Sequence, residues 1–268
     1  MIGVFDSGYG GLPVLRAIVG RLPQYSYLYF GDNGRAPYGN RTPEEIYQFT
    51  LEGVEYLFSQ GCDLVILACN TASARALRRI QQEVLPERYP DKRVLGIVVP
   101  TIEQITDKPW RGTVGVLATE QTVCSGAYEK EIHHRLPDIK VVQQACEQLT
   151  VLIENGSSRE SLELEIKKCL EALNHQIPLE KLDALLLGCT HYELVKDIIR
   201  SFVPSDVCIY EQPQLVAESL AVYLARHSEI EKKLDRGGVK KFVTSGDPDA
   251  VALYASRFFG EEVVFQKL

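Results

Sequence analysis

The stretch DLVILACNTA (residues 63–72) and the stretch DALLLGCTHY (residues 183–192) resemble each other position by position. Aligned without a gap, they pair Asp63 with Asp183 and Cys69 with Cys189, and a hydrophobic run lies between in both. A short apolar run that ends at a polar turn before a helical pattern is typical of a buried strand in an α/β protein. The two stretches therefore predict two equivalent strand-to-helix turns in one chain.

The repeat extends beyond these ten residues. One series begins with IGV at Ile2 and reaches its cysteine at 69, and a second begins with VGV at Val114 and reaches its cysteine at 189. Within each series, apolar runs alternate with helical patterns, which indicates parallel sheets with crossover helices. We therefore predict an α/β fold of two similar three-layer lobes with mostly parallel sheets, related by a pseudo-twofold axis. Residues 1–97 and 208–268 are expected to form the first lobe and residues 98–207 the second. The alternative to an internal repeat is a chance similarity of two buried strands.

Two local patterns illustrate the reading of secondary structure. The segment at residues 42–61 has Thr42 as a candidate N-cap, Pro43 at the first helical position, Glu45 three residues after the cap and Gly61 at the end. These are the start and stop signals of a helix. The segment VLGIVV (residues 94–99) is apolar and β-branched, and is predicted to form a strand.

Composition excludes several classes of protein. The 268 residues carry a net charge of −7, with 45% hydrophobic and 24% charged residues, which is typical of a globular protein without a nucleic-acid footprint. No signal peptide is visible and no stretch approaches the ~20 apolar residues that span a bilayer, so a cytoplasmic protein without membrane or nucleic-acid partners is expected. The seven cysteines have no C-x-x-C spacing and their number is odd. Neither a disulfide framework nor a zinc site is supported, and we expect no metal and no cofactor.

The two matched cysteines have the most informative positions. Cys69 and Cys189 each follow a predicted strand and precede a helix, where free backbone N–H groups bind anions and lower the pKa of a thiol. If the lobes face each other, the two thiols flank one bound molecule from opposite sides. One thiolate can then remove a proton from a carbon while the opposite thiol returns one to the other face, which is stereoinversion by general acid–base catalysis. Burial as small hydrophobic residues is the alternative.

Other polar residues lie close to these predicted strand ends. Asp6 and Ser7 follow the first strand, although Asp6 could equally be an N-cap. His191 stands two residues after Cys189, which favours a functional role beside that cysteine; a purely structural histidine is the alternative. Tyr38 and Gly39 belong to the polar segment GDNGRAPYGN, for which a surface turn is the alternative.

Six motifs together resemble the glutamate racemase family, whose members make D-glutamate for bacterial peptidoglycan without a cofactor. The motifs are DSGYGGL (6–12), GDNGRAPYG (31–39), ACNTASA (68–74), GVLATEQTVCSGAY (115–128), GCTHY (188–192) and TSGDP (244–248). The resemblance implies Cys69 and Cys189 as the two bases, Asp6 supporting Cys69, and His191 with Glu154 supporting Cys189. The residues that it implies as substrate-lining are Asp6, Ser7, Tyr38, Gly39, Asn70, Thr71, Thr190 and His191. A homodimer is a candidate assembly.

Some positions depart from the family pattern. Glu193 and Glu147 stand where the family usually has proline, and IYEQP (209–213) replaces a strand end that usually contains aspartate. Related aspartate racemases tend to carry glutamate at the position of His191, which favours glutamate as the substrate. The alternatives are a racemase of a related amino acid such as aspartate, a different cysteine enzyme such as a decarboxylase, and a non-catalytic amino-acid-binding protein. A decarboxylase would be expected to need only one of the two cysteines.

Overall fold

The computed structural model describes residues 1–106 and 112–268. Over these residues the chain forms two parallel β-sheets covered by helices, so the predicted α/β class is confirmed. No helix in this part of the chain is both long enough and apolar enough to cross a membrane.

The strands alternate with helices along most of the chain. The strands are β1 (Ile2–Asp6), β2 (Tyr27–Gly31), β3 (Leu64–Leu67), β4 (Arg93–Gly96), β5 (Thr113–Ala118), β6 (Lys140–Ala145), β7 (Leu182–Gly188), β8 (Cys208–Tyr210), β9 (Lys240–Thr244) and β10 (Phe265–Lys267). The α-helices are α1 (Gly11–Arg21), α2 (Pro43–Ser59), α3 (Asn70–Arg75), α4 (Leu77–Arg79), α5 (Leu85–Arg88), α6 (Val98–Thr106), α7 (Glu120–Ser125), α8 (Ala127–Arg135), α9 (Leu149–Glu154), α10 (Arg159–Gln176), α11 (Lys196–Phe202), α12 (Pro213–Arg226), α13 (Ser228–Glu231) and α14 (Pro248–Phe259). Short 3-10 segments cover Tyr38–Asn40, Leu179–Lys181 and Thr190–Val195, and a π-helical segment covers Ile80–Val84.

The two sheets share one strand order. The larger sheet has the order β10-β9-β2-β1-β3-β4 and the smaller has the order β6-β5-β7-β8, with every pairing parallel. The first four strands of the chain therefore pair in the same order as the next four. Cys69 lies just after β3 and Cys189 just after β7, which are equivalent strands. This shared order supports the internal repeat, while the pseudo-twofold axis stays a prediction.

The strand pairing refines the predicted lobe boundary. The boundary at residue 208 would place Cys208–Tyr210 in the first lobe, but β8 pairs with β7 in the smaller sheet. The chain returns to the larger sheet only with β9, which pairs with β2, and the unpredicted β10 then pairs with β9. The wider division into residues 1–97 with 208–268 and residues 98–207 stays a prediction.

Both faces of the larger sheet are covered. Ile2 and Val4 of β1 pack with α1 and α12 in one hydrophobic cluster, whereas Phe5 packs with α2 in another. Because successive residues of a strand point to opposite faces, β1 is buried on both sides. A helix–sheet–helix layering follows for this lobe.

The predicted helix at residues 42–61 is confirmed in detail. The Glu45 N–H donates to Thr42 Oγ1 at 3.3 Å and the Thr42 N–H donates to Glu45 Oε2 at 2.9 Å, so both halves of the capping box are present. Gly61 follows the helix with a φ of 84°, a left-handed conformation that favours glycine.

The predicted strand at residues 94–99 is wrong in its second half. β4 ends at Gly96 and α6 begins at Val98. In the described part of the chain its only strand partner is β3, which pairs with Arg93–Gly96 and ends at Leu67, so residues beyond Gly96 have no described strand to bond. Pro100 lies in the first turn of α6, where the missing proline N–H costs nothing. Tertiary pairing therefore overrides the β-propensity of the two valines.

Candidate active site

The ends of several parallel strands open into one cleft between the two sheets. All eleven residues that the sequence singled out line it: Asp6, Ser7, Tyr38, Gly39, Cys69, Asn70, Thr71, Glu154, Cys189, Thr190 and His191. The carboxyl ends of parallel strands are where ligands bind in α/β proteins. The structure thus brings these residues together, while their roles stay predictions.

Cys69 is buried at the start of α3. Its Sγ lies 3.4 Å from the Ser7 hydroxyl oxygen and accepts the Ala72 N–H at 3.5 Å, so the thiol caps the helix. Burial and then the negative charge of Asp6 together raise the pKa of Cys69 to about 12, against the smaller lowering effect of the two hydrogen bonds. The thiol form of Cys69 is therefore favoured, and the expectation that its place before a helix lowers the thiol pKa is wrong for Cys69, because burial outweighs the helix N–H groups.

Asp6 ends β1 and faces the same cleft. Its Oδ2 accepts the Gly8 N–H at 2.8 Å, whereas its Oδ1 is buried and has no hydrogen-bond partner. Burial raises the pKa of Asp6, and the charge of His191 and the backbone N–H groups of Gly8 and Gly11 only partly offset this. A buried carboxylate oxygen without a partner is costly, so Oδ1 is available to a ligand.

Cys189 has different neighbours. Its Sγ lies 3.6 Å from the Thr150 hydroxyl oxygen and 3.6 Å from Nδ1 of His191, whose Nε2 lies 2.8 Å from Oε1 of Glu154. Burial alone would lower the pKa of His191, but the hydrogen bonds with Cys189 and Glu154 outweigh it and raise the pKa well above its ordinary value. The protonated ring is therefore favoured, and in that form both of its nitrogens donate.

The glycine motif after β1 brings the first half of the chain against these residues. A Cβ at Gly10 would lie 2.5 Å from the ring of His191 and from Oγ1 of Thr190, and a Cβ at Gly8 would lie 3.0 Å from Oε1 of Glu154. Such distances leave no room for a side chain at Gly10. The motif is therefore needed for close packing of the β1 loop on the turn that carries Cys189.

Tyr38 is buried, so the alternative interpretation of its segment as a surface turn is wrong for this residue. Its hydroxyl donates to Oδ2 of Asp32 at 2.5 Å, and Ser245 of the TSGDP motif donates to Oδ1 of the same carboxylate at 2.6 Å. The guanidinium of Arg35 also binds Asp32 and reaches Glu52 at 2.5 Å. Asp32 thus holds the loop whose Tyr38 and Gly39 line the cleft.

The predicted substrate-lining side chains of Asn70 and Thr71 also have protein partners. The amide of Asn70 is bonded to Gln212, and its Oδ1 also accepts the Tyr128 hydroxyl at 2.7 Å. The hydroxyl oxygen of Thr71 lies 3.0 Å from that of Thr119. At Asn70 the backbone rather than the side chain is therefore the group available to a ligand.

The sequence reasoning missed several lining residues: Pro37, Asn40, Thr119, Glu120, Glu147, Thr150 and Val151. Thr119 follows β5, as Ser7 follows β1, and it caps α7, so its place after a strand was a usable signal. Thr150 binds the Cys189 thiol much as Ser7 binds Cys69, but nothing in its local sequence indicates this contact.

The lining residues give the cleft an unusual charge balance. Within residues 1–106 and 112–268 they include four carboxyl groups, those of Asp6, Glu120, Glu147 and Glu154, and no lysine or arginine. His191 is the one lining side chain that becomes a cation in the part of the chain that the structure describes. Over the same residues, no group of three or more His, Cys, Asp and Glu side chains is placed to hold a metal ion.

Comparison with known proteins places the chain in a family. A family model described as Asp/Glu/Hydantoin racemase matches residues 12–217. The chain is 42% identical to the glutamate racemase of Dinoroseobacter shibae, over 99% of this chain and 97% of that protein. It is also 42% identical to the glutamate racemase of Paracoccus denitrificans, over 99% and 98% of the two chains.

Solved structures agree with this placement. A glutamate racemase isoform from Bacillus anthracis superimposes with a TM-score of 0.88 at 32% identity, over 100% of this chain and 97% of that one. The enzyme from Francisella tularensis, solved in complex with D-glutamate, gives a TM-score of 0.85 at 29% identity, over 100% and 95% of the chains. An aspartate racemase from Picrophilus torridus shares the fold, at 18% identity and a TM-score of 0.54. The match covers 85% of this chain and 93% of that one. The resemblance seen in the motifs is thereby confirmed, and the chain belongs to the Asp/Glu/hydantoin racemase family.

Proposed function

We propose that this protein is a cofactor-independent glutamate racemase that interconverts L- and D-glutamate with Cys69 and Cys189 as its two bases. By the family resemblance, the D-glutamate would supply peptidoglycan synthesis in the cytoplasm. A homodimer remains a candidate assembly.

One observation carries the proposal. Cys69 and Cys189 follow equivalent strands of two sheets with the same strand order, and both line one cleft. Each sulfur also has its own hydroxyl neighbour, Ser7 for one and Thr150 for the other. A matched pair of acid–base groups in one cleft fits a reaction in which one carbon exchanges its proton between two faces.

The proposed reaction has two proton transfers. One thiolate takes the proton from Cα of glutamate, so the Cα–H bond breaks and its electron pair is delocalised into the α-carboxylate. The opposite thiol then gives its proton to the other face of Cα and becomes the thiolate. The amino acid leaves inverted, and the two sulfurs have exchanged protonation states.

The surroundings suggest which thiol carries the proton at rest. The raised pKa of Cys69 favours its thiol form, whereas the His191 imidazolium at 3.6 Å stabilises negative charge on Cys189. Glu154 binds the far side of the imidazolium and so orients it, as a carboxylate does for a catalytic histidine. Cys189 is therefore proposed as the resting base and Cys69 as the resting acid.

The substrate carboxylates are proposed to bind without an arginine. Among the residues that the structure describes, no lysine or arginine lines the cleft, and Arg35 is engaged by Asp32 and Glu52. Backbone N–H groups near Ser7, Asn70 and Thr190 and nearby hydroxyl groups then remain as donors. The unpartnered Oδ1 of Asp6 is placed to accept from the substrate ammonium.

Three alternatives to this function are separated by three measurements. The rate at which optical rotation changes, measured with a panel of L- and D-amino acids, would show whether glutamate, aspartate or neither is inverted. Glutamate is expected because its family relatives carry that name at 42% identity, whereas the aspartate racemase shares only the fold. Binding of glutamate without inversion would indicate a binding protein, and release of carbon dioxide would indicate a decarboxylase.

The two-base step has its own test in deuterated water. D-glutamate formed from L-glutamate should carry solvent deuterium at Cα, while recovered L-glutamate stays largely unlabelled at early times. Cys69→Ser and Cys189→Ser should each abolish racemisation, because a hydroxyl is a far weaker base at neutral pH. Cys208→Ser, at an exposed position on β8, serves as the control and should keep full activity. Near-normal racemisation by Cys69→Ser would refute the two-base proposal.

A further inference from the structure

Gln212 does not line the cleft, yet its side chain joins elements from both sides of it. The residue is buried between β8 and α12. Its Oε1 accepts from the amide of Asn70, and its Nε2 lies 2.9 Å from the hydroxyl oxygen of Tyr128 and 3.0 Å from that of Thr101. One side chain thus connects the turn after β3 with α6 and α8.

The protons of this group of side chains have a consistent arrangement. The Tyr128 hydroxyl donates to Oδ1 of Asn70 at 2.7 Å, and the Thr101 hydroxyl donates to the carbonyl oxygen of Ile97 at 2.7 Å. Both hydroxyl oxygens are then free to accept one proton each from Nε2 of Gln212. Because a buried network is rigid when every member is satisfied, this one fixes the side chains it includes.

The network ends beside both proposed bases. Asn70 directly follows Cys69 in the chain. Tyr128 is buried against the residue that precedes Cys189, since a Cβ at Gly188 would lie 3.1 Å from Cε2 of the tyrosine ring. A continuous set of contacts therefore runs from the backbone of one cysteine, through Gln212, to the backbone of the other.

We propose that Gln212 is a positioning residue that holds Cys69 and Cys189 at the spacing needed to reach both faces of one carbon. The inference rests on the two-base function proposed above and adds to it a residue outside the cleft. The motifs gave no indication of it, because Gln212 lies in the IYEQP stretch that departs from the family pattern. Misplacing a reacting group by about 1 Å costs roughly 10²-fold in rate, so loss of this spacing should be measurable.

The test uses two variants that change the network without adding charge. Gln212→Met keeps the approximate volume but removes every hydrogen bond of the amide, and Tyr128→Phe keeps the ring against Gly188 but removes the hydroxyl. We expect kcat to fall by about 10- to 100-fold in both, with KM changing by less than about 3-fold, because the groups that touch the substrate remain.

A second readout separates positioning from a loss of stability. When the thiol that donates the second proton is displaced, the carbanion lives longer, and the first thiol has time to exchange its newly acquired proton with solvent. In deuterated water, recovered substrate should then gain deuterium at Cα faster relative to inversion than it does with the wild type. Partial unfolding lowers both rates equally and leaves this ratio unchanged.

A matched pair of threonines provides the control. Thr101 and Thr50 are both buried, and each hydroxyl donates to the carbonyl oxygen four residues earlier, at 2.7 Å and 2.6 Å. Only Thr101 also accepts from Gln212. Thr101→Val should therefore raise the ratio of exchange to inversion, and Thr50→Val should lower stability comparably without changing that ratio.

The outcomes distinguish this inference from the proposed function. An inactive wild-type protein would refute the proposed function and this inference with it. An active wild type, with folded Gln212→Met and Tyr128→Phe variants that keep its kcat and its exchange ratio, would refute the inference alone. If Gln212→Met does not fold, Tyr128→Phe and the two threonine variants decide the question.

Discussion

Replacing Gly10 by alanine tests whether the loop after β1 sets the position of His191. Gly10 has a φ of −63° and a ψ of −23°, a right-handed helical conformation that alanine adopts freely. The substitution therefore introduces no backbone strain, and its effect comes from the added methyl group. That carbon would lie 2.5 Å from Cε1 and Nδ1 of His191 and 2.5 Å from Oγ1 of Thr190.

The size of the effect follows from these distances. Carbon atoms pack at about 3.5–4.0 Å, so the imidazole or the β1 loop must retreat by roughly 1 Å. The ring has little freedom, because Glu154 binds it at 2.8 Å and Phe258 packs on it edge-to-face. A displacement of about 1 Å costs roughly 10²-fold in rate, and overpacking costs about 1–3 kcal/mol of stability. We expect both losses in Gly10→Ala.

Gly20→Ala is the matched control. Gly20 lies in α1, and a Cβ there would meet nothing within 4 Å. Alanine in a helix is more stable than glycine by roughly 0.5–1 kcal/mol, so this variant should be slightly stabilised and fully active. Racemisation rates, urea unfolding and imidazole NMR signals of both variants decide the matter. If folded Gly10→Ala keeps the wild-type kcat and His191 signals, the contact does not position the histidine.

Three further predictions concern ionisation and binding. Because burial raises the pKa of Cys69 to about 12, the folded protein keeps a proton that the unfolded chain loses above about pH 8.5. The free energy of unfolding of the wild type, measured by denaturant titration, should therefore fall as the pH rises above about 8.5. Its fall should exceed that of Cys69→Ala by about 1.4 kcal/mol per pH unit. An equal pH dependence in the two proteins would contradict this. Glu154→Gln should lower the raised pKa of His191, measured by NMR titration, because it removes the charged acceptor on Nε2; an unchanged pKa would show that Glu154 does not maintain it. Arg35→Ala should raise KM for glutamate by less than about 10-fold, since its guanidinium is bound by Asp32 and Glu52; a rise of orders of magnitude would indicate an arginine clamp.

Local signals predicted the local structure well. The helix beginning at Pro43 follows from its capping residues, and both cysteine turns follow from an apolar run that ends at a polar residue. Where the structure depends on a distant partner, the local pattern failed. Val98 has a β-branched side chain, but the strand beside it has already ended, so the chain turns into a helix. Propensity cannot register the length of a neighbouring strand.

The cleft shows the same limit. Residues that follow strands, such as Asp6 and Cys189, could be expected at one sheet edge because topology alone brings them there. Thr150 contacts the Cys189 thiol from a short helix 39 residues earlier in the chain, and no periodicity of its own sequence indicates that contact. Gln212 was equally hidden, because a lone glutamine beside a proline gives no sign that it will be buried among hydrogen-bond partners.

The unequal surroundings of the two sulfurs have a kinetic consequence. In the proposed two-base reaction, the free protein holds the proton on Cys69, and each turnover in one direction releases product from a form in which the proton is on Cys189. That form must regain its resting state through solvent, without substrate, before it can repeat the same direction. At high total concentrations of both enantiomers, a product molecule binds this form before it returns to its resting state, and that molecule is converted back into substrate. The return of the empty enzyme then becomes a visible step, and the net conversion of one enantiomer into the other will slow as their pool grows.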